Sequence, residues 1–118
     1  MKFAVVDGKL KAIGDFAKTH KAAIRNSLKG WKTIVEALVD GEDFVSTGGT
    51  DTCNLCQLYY DDSDTIFSEC YGCPIREVTG KGECHDTPFY AYRNSGNHGQ
   101  ALRAARRMVK LLEQLTND

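Results

Sequence analysis

Apolar residues recur at helical spacing in the first half of the chain. One such face is formed by Trp31, Ile34, Val35 and Leu38. Because residues three and four apart share a face of an α-helix, this pattern predicts a helix from about residue 29 or 31 to residue 39. The following Asp40-Gly41 supplies the glycine that commonly ends a helix.

A second helical pattern lies near the end of the chain, from about Gln100 to Leu115, after the glycine-rich break Ser95–Gly99. Its apolar seam consists of Leu102, Ala105, Val109 and Leu112, widened by Ala101, Met108 and Leu115. The other side gathers Arg103, Arg106, Arg107 and Lys110. The segment 98–116 is therefore expected to be an amphipathic helix with a basic face available for contact.

The N-terminal pattern is more mixed. Phe3, Val5 and Val6 predict a short strand that Asp7-Gly8 would end. From residue 10 to residue 28 apolar residues recur at roughly helical intervals, which predicts helix. Gly14 and the polar residues 18–21 divide that helix into two pieces.

The middle of the chain, residues 51–88, shows little periodicity. Pro74 suits the first turn of a short helix that Thr79-Gly80 would stop, and Thr87-Pro88 favours an extended turn. We therefore expect one α-rich domain over residues 1–118. It would comprise an N-terminal helical part (1–50), an irregular cysteine-rich metal lobe (51–88) and the C-terminal helix (98–116). A small α+β fold is the alternative if the N-terminal stretch is a strand.

Charge is strongly segregated along the 118 residues, although the net charge is only −1. Residues 1–32 carry eight Lys or Arg and two Asp, whereas residues 33–75 carry nine acidic side chains and no Lys or Arg. This asymmetry predicts a dipolar molecule with an acidic surface and a basic surface. No apolar run reaches the length of a membrane span, and the first residues lack the pattern of a secretory leader. A cytoplasmic protein with reduced thiols is expected.

Four of the five cysteines form two Cys-x-x-Cys pairs separated by thirteen residues: Cys53, Cys56, Cys70 and Cys73. A Cys-x-x-Cys turn lets two thiolates reach one ion from a single tight loop, and two such turns complete a tetrahedral site. The spacing is close to that of zinc ribbons, so these four thiolates are predicted to bind Zn²⁺.

Other ligand sets and another metal centre are also compatible with this cysteine pattern. Cys84 and His85 follow Cys73 closely, and either would be able to replace one of the four thiolates. An iron–sulfur cluster is the second choice of metal centre, because ferredoxins also use four cysteines and end on Cys-Pro, but the spacing differs from theirs. Catalytic zinc usually keeps an open position beside His or carboxylate ligands, which this pattern lacks. We therefore expect a structural metal.

Two further groups bear on function. His98 lies in a glycine-rich turn before a helix, which indicates either a plain helix start or an anion cradle of backbone N–H groups. The aromatic residues of the lobe region are expected mainly to pack around the metal loops, with a binding face as the alternative; they are Tyr59, Tyr60, Tyr71, Phe89, Tyr90 and Tyr92.

Several short motifs of the chain occur together and in the same order elsewhere. They are WKTIVEAL (31–38), CNLC (53–56), CYGCPI (70–75), Thr79-Gly80, and Cys84 followed by TPF (87–89). Residues 31–90 thereby resemble a group of small, cysteine-rich and mostly uncharacterised bacteriophage proteins. The resemblance implies a phage origin, a small accessory role in the host cytoplasm and a place for Cys84 in the shared pattern. It implies no activity.

Three functions are compatible with these patterns. The leading hypothesis is a non-enzymatic, zinc-stabilised module that binds a host macromolecule, with a host protein favoured over other partners. The second is a nucleic-acid-binding zinc protein that uses the basic face of the last helix or an N-terminal basic set, namely Lys18, Lys21, Arg25, Lys29 and Lys32. The third is a small metal-dependent enzyme using His85 or His98. The oligomeric state does not follow from the sequence.

Overall fold

The chain begins with a β-hairpin in which β1 (Lys2–Val6) pairs antiparallel with β2 (Lys9–Ile13). The computed structural model describes residues 1–47 and 88–116 of the chain. Asp7 and Gly8 connect the strands with φ angles of 53° and 74°. Two left-handed residues in a two-residue loop form the turn that matches the twist of paired strands, and Asp-Gly is a preferred sequence for it.

The second strand corrects the sequence prediction, which placed helix from residue 10 onward. Val5 pairs with Leu10 and Phe3 with Ala12, so these four side chains face the same side of the hairpin. Leu10 is buried in the core, and Phe3 and Val5 pack against it. A five-residue segment is too short to distinguish strand from helix by the spacing of its apolar residues, and the cross-strand partners decided the outcome.

Helix α1 spans His20–Val39, so the predicted helix at residues 29 or 31 to 39 begins much earlier than expected. The predicted break is present at residues 14–19, but the piece before it is the strand β2, and the piece after it runs without interruption into the predicted helix. Ala23, Ile24 and Ser27 are buried and continue the face of Trp31 back towards the helix start. The polar residues that suggested the break lie just before the helix and on the solvent side of its first turn.

The end of α1 confirms the predicted stop at Asp40-Gly41. Gly41 has a φ of +122°, its N–H donates to the Leu38 carbonyl, and the Glu42 N–H donates to the Ala37 carbonyl. These two hydrogen bonds are those of a Schellman motif, which needs a left-handed residue and therefore favours glycine. The chain then turns back to β2, where Ser46 exchanges hydrogen bonds with Gly8 and Leu10.

Two further helices follow, α2 (Pro88–Arg93) and α3 (His98–Thr116). Pro88 is the first residue of α2 rather than part of an extended turn, a position that suits proline because its missing N–H is not needed there. The amphipathic helix predicted over 98–116 is confirmed with the same bounds. Its buried centre differs from the predicted seam: Leu102 and Val109 lie at the margin, and the fully packed face consists of Ala101, Ala104, Ala105, Met108 and Leu112.

The core lies where α3 packs along α1, with α2 against α3 and the hairpin against α1. The described part of the chain is thus one small domain with a helical majority and a two-stranded sheet. The strand predicted around Phe3, Val5 and Val6 is present as β1, and its pairing with β2 makes the N-terminal part only partly helical, as the α+β alternative expects. Among the described helices, none is both long and apolar enough to cross a membrane.

Candidate functional site

The predicted metal ligands lie outside the described residues. This applies to Cys53, Cys56, Cys70 and Cys73 and to the alternates Cys84 and His85. The short helix predicted after Pro74 lies there as well. Within residues 1–47 and 88–116, no group of three or more His, Cys, Asp or Glu side chains is placed to hold a metal ion. The zinc site therefore stays a prediction.

Tyr92 is the centre of an aromatic cluster that joins three segments of the chain. Its side chain is fully buried, and its ring forms a T-shaped pair with Trp31 at a centroid distance of 5.1 Å and an interplanar angle of 90°. Its other aromatic neighbour is Phe44, stacked at 4.9 Å and 17°. The sequence had suggested that Tyr92 covers the metal loops, whereas the structure places it in the helical core. We call Phe44, Tyr92 and Trp31 the aromatic shelf.

The hydroxyl of Tyr92 fixes the loop that carries Phe44. It donates to the Val45 carbonyl at 2.6 Å and accepts from the Val45 N–H at 3.1 Å. Burial raises the pKa of Tyr92 above its ordinary value of 10.0, and the backbone hydrogen bond with Val45 partly opposes that rise. Because both polar groups of Val45 are satisfied, the loop can stay buried at this point.

Phe44 itself is exposed over 42% of its surface, although its ring is stacked on Tyr92. Val39 at the end of α1 is 59% exposed. Between them lie three exposed carboxylates, those of Asp40, Glu42 and Asp43. The sequence prediction missed Phe44, although the acidic stretch GEDF around it was a usable signal: a large aromatic in a polar loop needs either cover or a partner.

The basic face predicted for the last helix is present on α3. Its four side chains are all exposed: Arg103, Arg106, Arg107 and Lys110. At about 100° per residue they fall on the side of α3 opposite the alanine-rich buried face. We call these four residues the basic tetrad.

The N-terminal basic residues form a second exposed set. Lys21, Arg25, Lys29 and Lys32 lie in line along the solvent side of α1, and we call them the basic row. Lys18 is exposed just before the helix. In the row, the Lys29 ammonium donates to the Met1 carbonyl at 3.2 Å, which ties α1 to the start of the hairpin.

His98 serves as a structural contact in this arrangement. Its Nε2 lies 2.8 Å from the Leu38 carbonyl, so the imidazole donates to the carboxyl end of α1. Asn97 caps α3 by accepting from the Gln100 N–H at 2.9 Å, and the Gln100 side chain accepts from the Gly96 N–H at 2.7 Å. This is a capped helix start. Of the two interpretations of the glycine-rich turn, the plain one fits these contacts.

Comparison with known proteins adds no relative. No protein-family model, no curated protein and no solved structure matches the chain.

Proposed function

We propose that this chain is a non-enzymatic binding module, stabilised by zinc in its cysteine-rich lobe, that engages a host protein through the surface around Phe44. The proposal includes the small phage accessory role in the host cytoplasm that the sequence resemblance implies. The observation that carries it is the exposed but fixed ring of Phe44. Its stacking partner Tyr92 is fully buried and is hydrogen-bonded to the residue next to Phe44.

A fixed aromatic side chain suits a binding surface for an energetic reason. Ordering a side chain or loop on association costs free energy, and a group already held in its bound orientation avoids much of that cost. Aromatic side chains are also prominent among the few residues that supply most of the binding energy of an interface. The aromatic shelf holds the Phe44 ring while leaving 42% of the residue accessible.

The charges beside Phe44 indicate the chemistry of the partner. Asp40, Glu42 and Asp43 are exposed at the carboxyl end of α1, and its last turn carries no basic residue. The backbone dipole already makes this end of a helix negative, so local stability would favour cations here. A partner with an apolar pocket rimmed by Lys or Arg would complement both the ring and the carboxylates.

Affinity capture from host extract, performed with matched variants, tests this proposal. We expect the tagged wild-type chain to recover a saturable partner, and Phe44→Ala to lose most of it. The interaction of a central aromatic is expected to contribute at least about 2 kcal/mol, or roughly 30-fold in Kd. Ile13→Ala is the matched control, because Ile13 is similarly exposed at 56% but lies on the hairpin.

A second variant checks the charge argument without altering the aromatic shelf. Glu42→Lys combined with Asp43→Lys reverses two exposed charges beside Phe44 and should weaken capture while leaving thermal unfolding unchanged. Equal recovery by the wild type and by Phe44→Ala would contradict the site. Failure of every variant, wild type included, to saturate with any protein would contradict the function.

A further inference from the structure

The basic tetrad forms a closed arrangement on the surface of α3. Arg103 has neighbours at Arg106 and Arg107, and Lys110 has the same two neighbours from the other side. Each of these pairs is three or four residues apart, which places the Cβ atoms about 5–6 Å from each other. The four cations therefore surround one small area, roughly 10 Å long at a rise of about 1.5 Å per residue.

This arrangement opposes the stability of its own helix. Like charges three or four residues apart repel and weaken a helix, and the tetrad contains four such pairs. Glu113 is the only carboxylate on α3, and helical spacing brings it near Lys110 alone. A cluster that breaks a local stability rule without a local gain is the kind of feature expected at a functional surface.

We propose that the basic tetrad is a binding site for the phosphate backbone of a nucleic acid. Protein surfaces usually intersperse both signs of charge. A nucleic acid instead presents phosphates at high density, about one charge per 1.7 Å of duplex axis. Three members of the tetrad are arginines, whose planar guanidinium groups donate two parallel hydrogen bonds to a phosphate.

The basic row on α1 provides the internal comparison. It also carries four cations, but three are lysines, they lie in a line instead of a closed group, and Lys29 already donates to Met1. If nucleic-acid binding depends on the arrangement of the charges, replacing the basic tetrad will reduce affinity more than replacing the basic row. If it is a general attraction between polyanions and any cation, the two replacements will reduce affinity equally.

Fluorescence anisotropy with short labelled duplex and single-stranded DNA tests the site in the full chain. If four phosphates are neutralised, the slope of log K against log salt should be about −3.6 for duplex, so affinity should fall about 150-fold between roughly 50 mM and 200 mM salt. Replacing all four tetrad residues by Gln should remove most of the binding and of the slope. The variant replaces Arg103, Arg106, Arg107 and Lys110.

The matched control replaces the basic row by Gln and changes the net charge by the same amount; it should retain most of the affinity. Gln is a good helix former, so the tetrad variant should melt at or above the wild-type temperature.

Equal loss of binding in both variants would overturn the site, as would absence of salt-dependent binding by the wild type. Equal binding of a polyglutamate peptide would overturn the choice of nucleic acid. Phe44→Ala should leave DNA affinity unchanged, which separates this site from the protein-binding surface.

Discussion

Tyr92 shows how one side chain can connect distant parts of a small protein. It touches Trp31 of α1 and Phe44 of the loop after α1, and its hydroxyl satisfies both backbone groups of Val45. Tyr92 and Val45 are 47 residues apart in the chain, so this contact closes a long loop. Removing a buried hydroxyl leaves its two hydrogen-bond partners buried and unpaired, which costs free energy. The hydroxyl stabilises the fold mostly by preventing that cost.

We expect Tyr92→Phe to lower the free energy of unfolding by about 1–3 kcal/mol, because the buried N–H and carbonyl of Val45 lose their partner. Urea denaturation of the two proteins measures the difference. Thr33→Val is the control: it removes a hydroxyl that donates to the carbonyl of Lys29 within α1, at an exposed position. A Tyr92→Phe effect no larger than that of Thr33→Val would show that the hydrogen bonds to Val45 contribute little.

The same pair of proteins tests the pKa of Tyr92. Because burial raises this pKa in the folded state above the ordinary 10.0, the folded protein holds the phenolic proton more tightly than the unfolded chain does. The contribution of Tyr92 to stability is therefore complete below about pH 10 and is lost as the pH rises towards the folded pKa. The difference in unfolding free energy between wild type and Tyr92→Phe should therefore be constant well below about pH 10 and shrink as the pH rises above it. A difference that grows over this range would contradict the direction of the shift.

Gly30 of α1 lies directly against Phe3 of the hairpin. It is buried in the middle of the helix, and a methyl group placed there would lie 3.4–3.6 Å from three ring atoms of Phe3. These are ordinary contact distances, so one carbon fits but a larger side chain would displace the ring. Glycine is also about 1 kcal/mol worse than alanine in a helix interior.

Gly30→Ala is therefore expected to raise the unfolding free energy by about 0.5–1 kcal/mol. Gly30→Leu should lower it by about 1–3 kcal/mol, because overpacking forces Phe3 away from α1. Thermal unfolding of both variants, compared with the wild type, measures these two changes in stability. Stabilisation by Leu as well as by Ala would mean that Phe3 does not pack tightly against this position.

The whole molecule combines a core formed by the described residues with a predicted metal lobe. Helices α1 and α3 bury their apolar faces against each other and supply most of the buried core residues in the described part of the chain. Metal binding energy becomes folding energy for the segment that holds the metal, whereas the buried faces of α1 and α3 do not depend on the cysteine thiolates. Removal of the metal should therefore destabilise the cysteine-rich segment more than the helical core.

We expect the purified protein to contain one zinc, and Cys53→Ser or chelation to remove it. The cysteine-rich segment should then become sensitive to proteases, while most of the helical circular dichroism signal should persist. Cys84→Ser is the matched variant and should retain zinc if Cys84 is not a ligand. Equal loss of metal in Cys53→Ser and Cys84→Ser would contradict the predicted ligand set, and unchanged protease resistance without metal would contradict a structural role.

Cobalt substitution tests which atoms coordinate the predicted metal. Four thiolates leave no open position on the ion, whereas a mixed Cys and His site with bound water would be open to substrate. We expect the absorption spectrum of a tetrahedral tetrathiolate site. A spectrum with water among the ligands would favour the metal-dependent enzyme over a binding module.

Local signals in the sequence were enough for several parts of this fold. The end of α1 follows from Gly41, because a left-handed residue there completes the Schellman bonds. The position of α3 follows from a long helical period, and the same period puts the basic tetrad on its exposed side. Each of these features depends on residues within a few positions of one another, which is why periodicity and turn chemistry predict them.

Tertiary structure decided the rest. Residues 9–13 are a strand because Val5 and Phe3 provide pairing partners across the turn, and α1 begins at His20 because Ala23 and Ile24 bury against the core. The pairing within the aromatic shelf could not be predicted locally, since Phe44 and Tyr92 are far apart in the chain and are brought together by the packing of α2 and α3 against the rest of the core. Short apolar runs and single aromatic residues are compatible with several local structures, and the free energy gained by burying them against distant partners selects one.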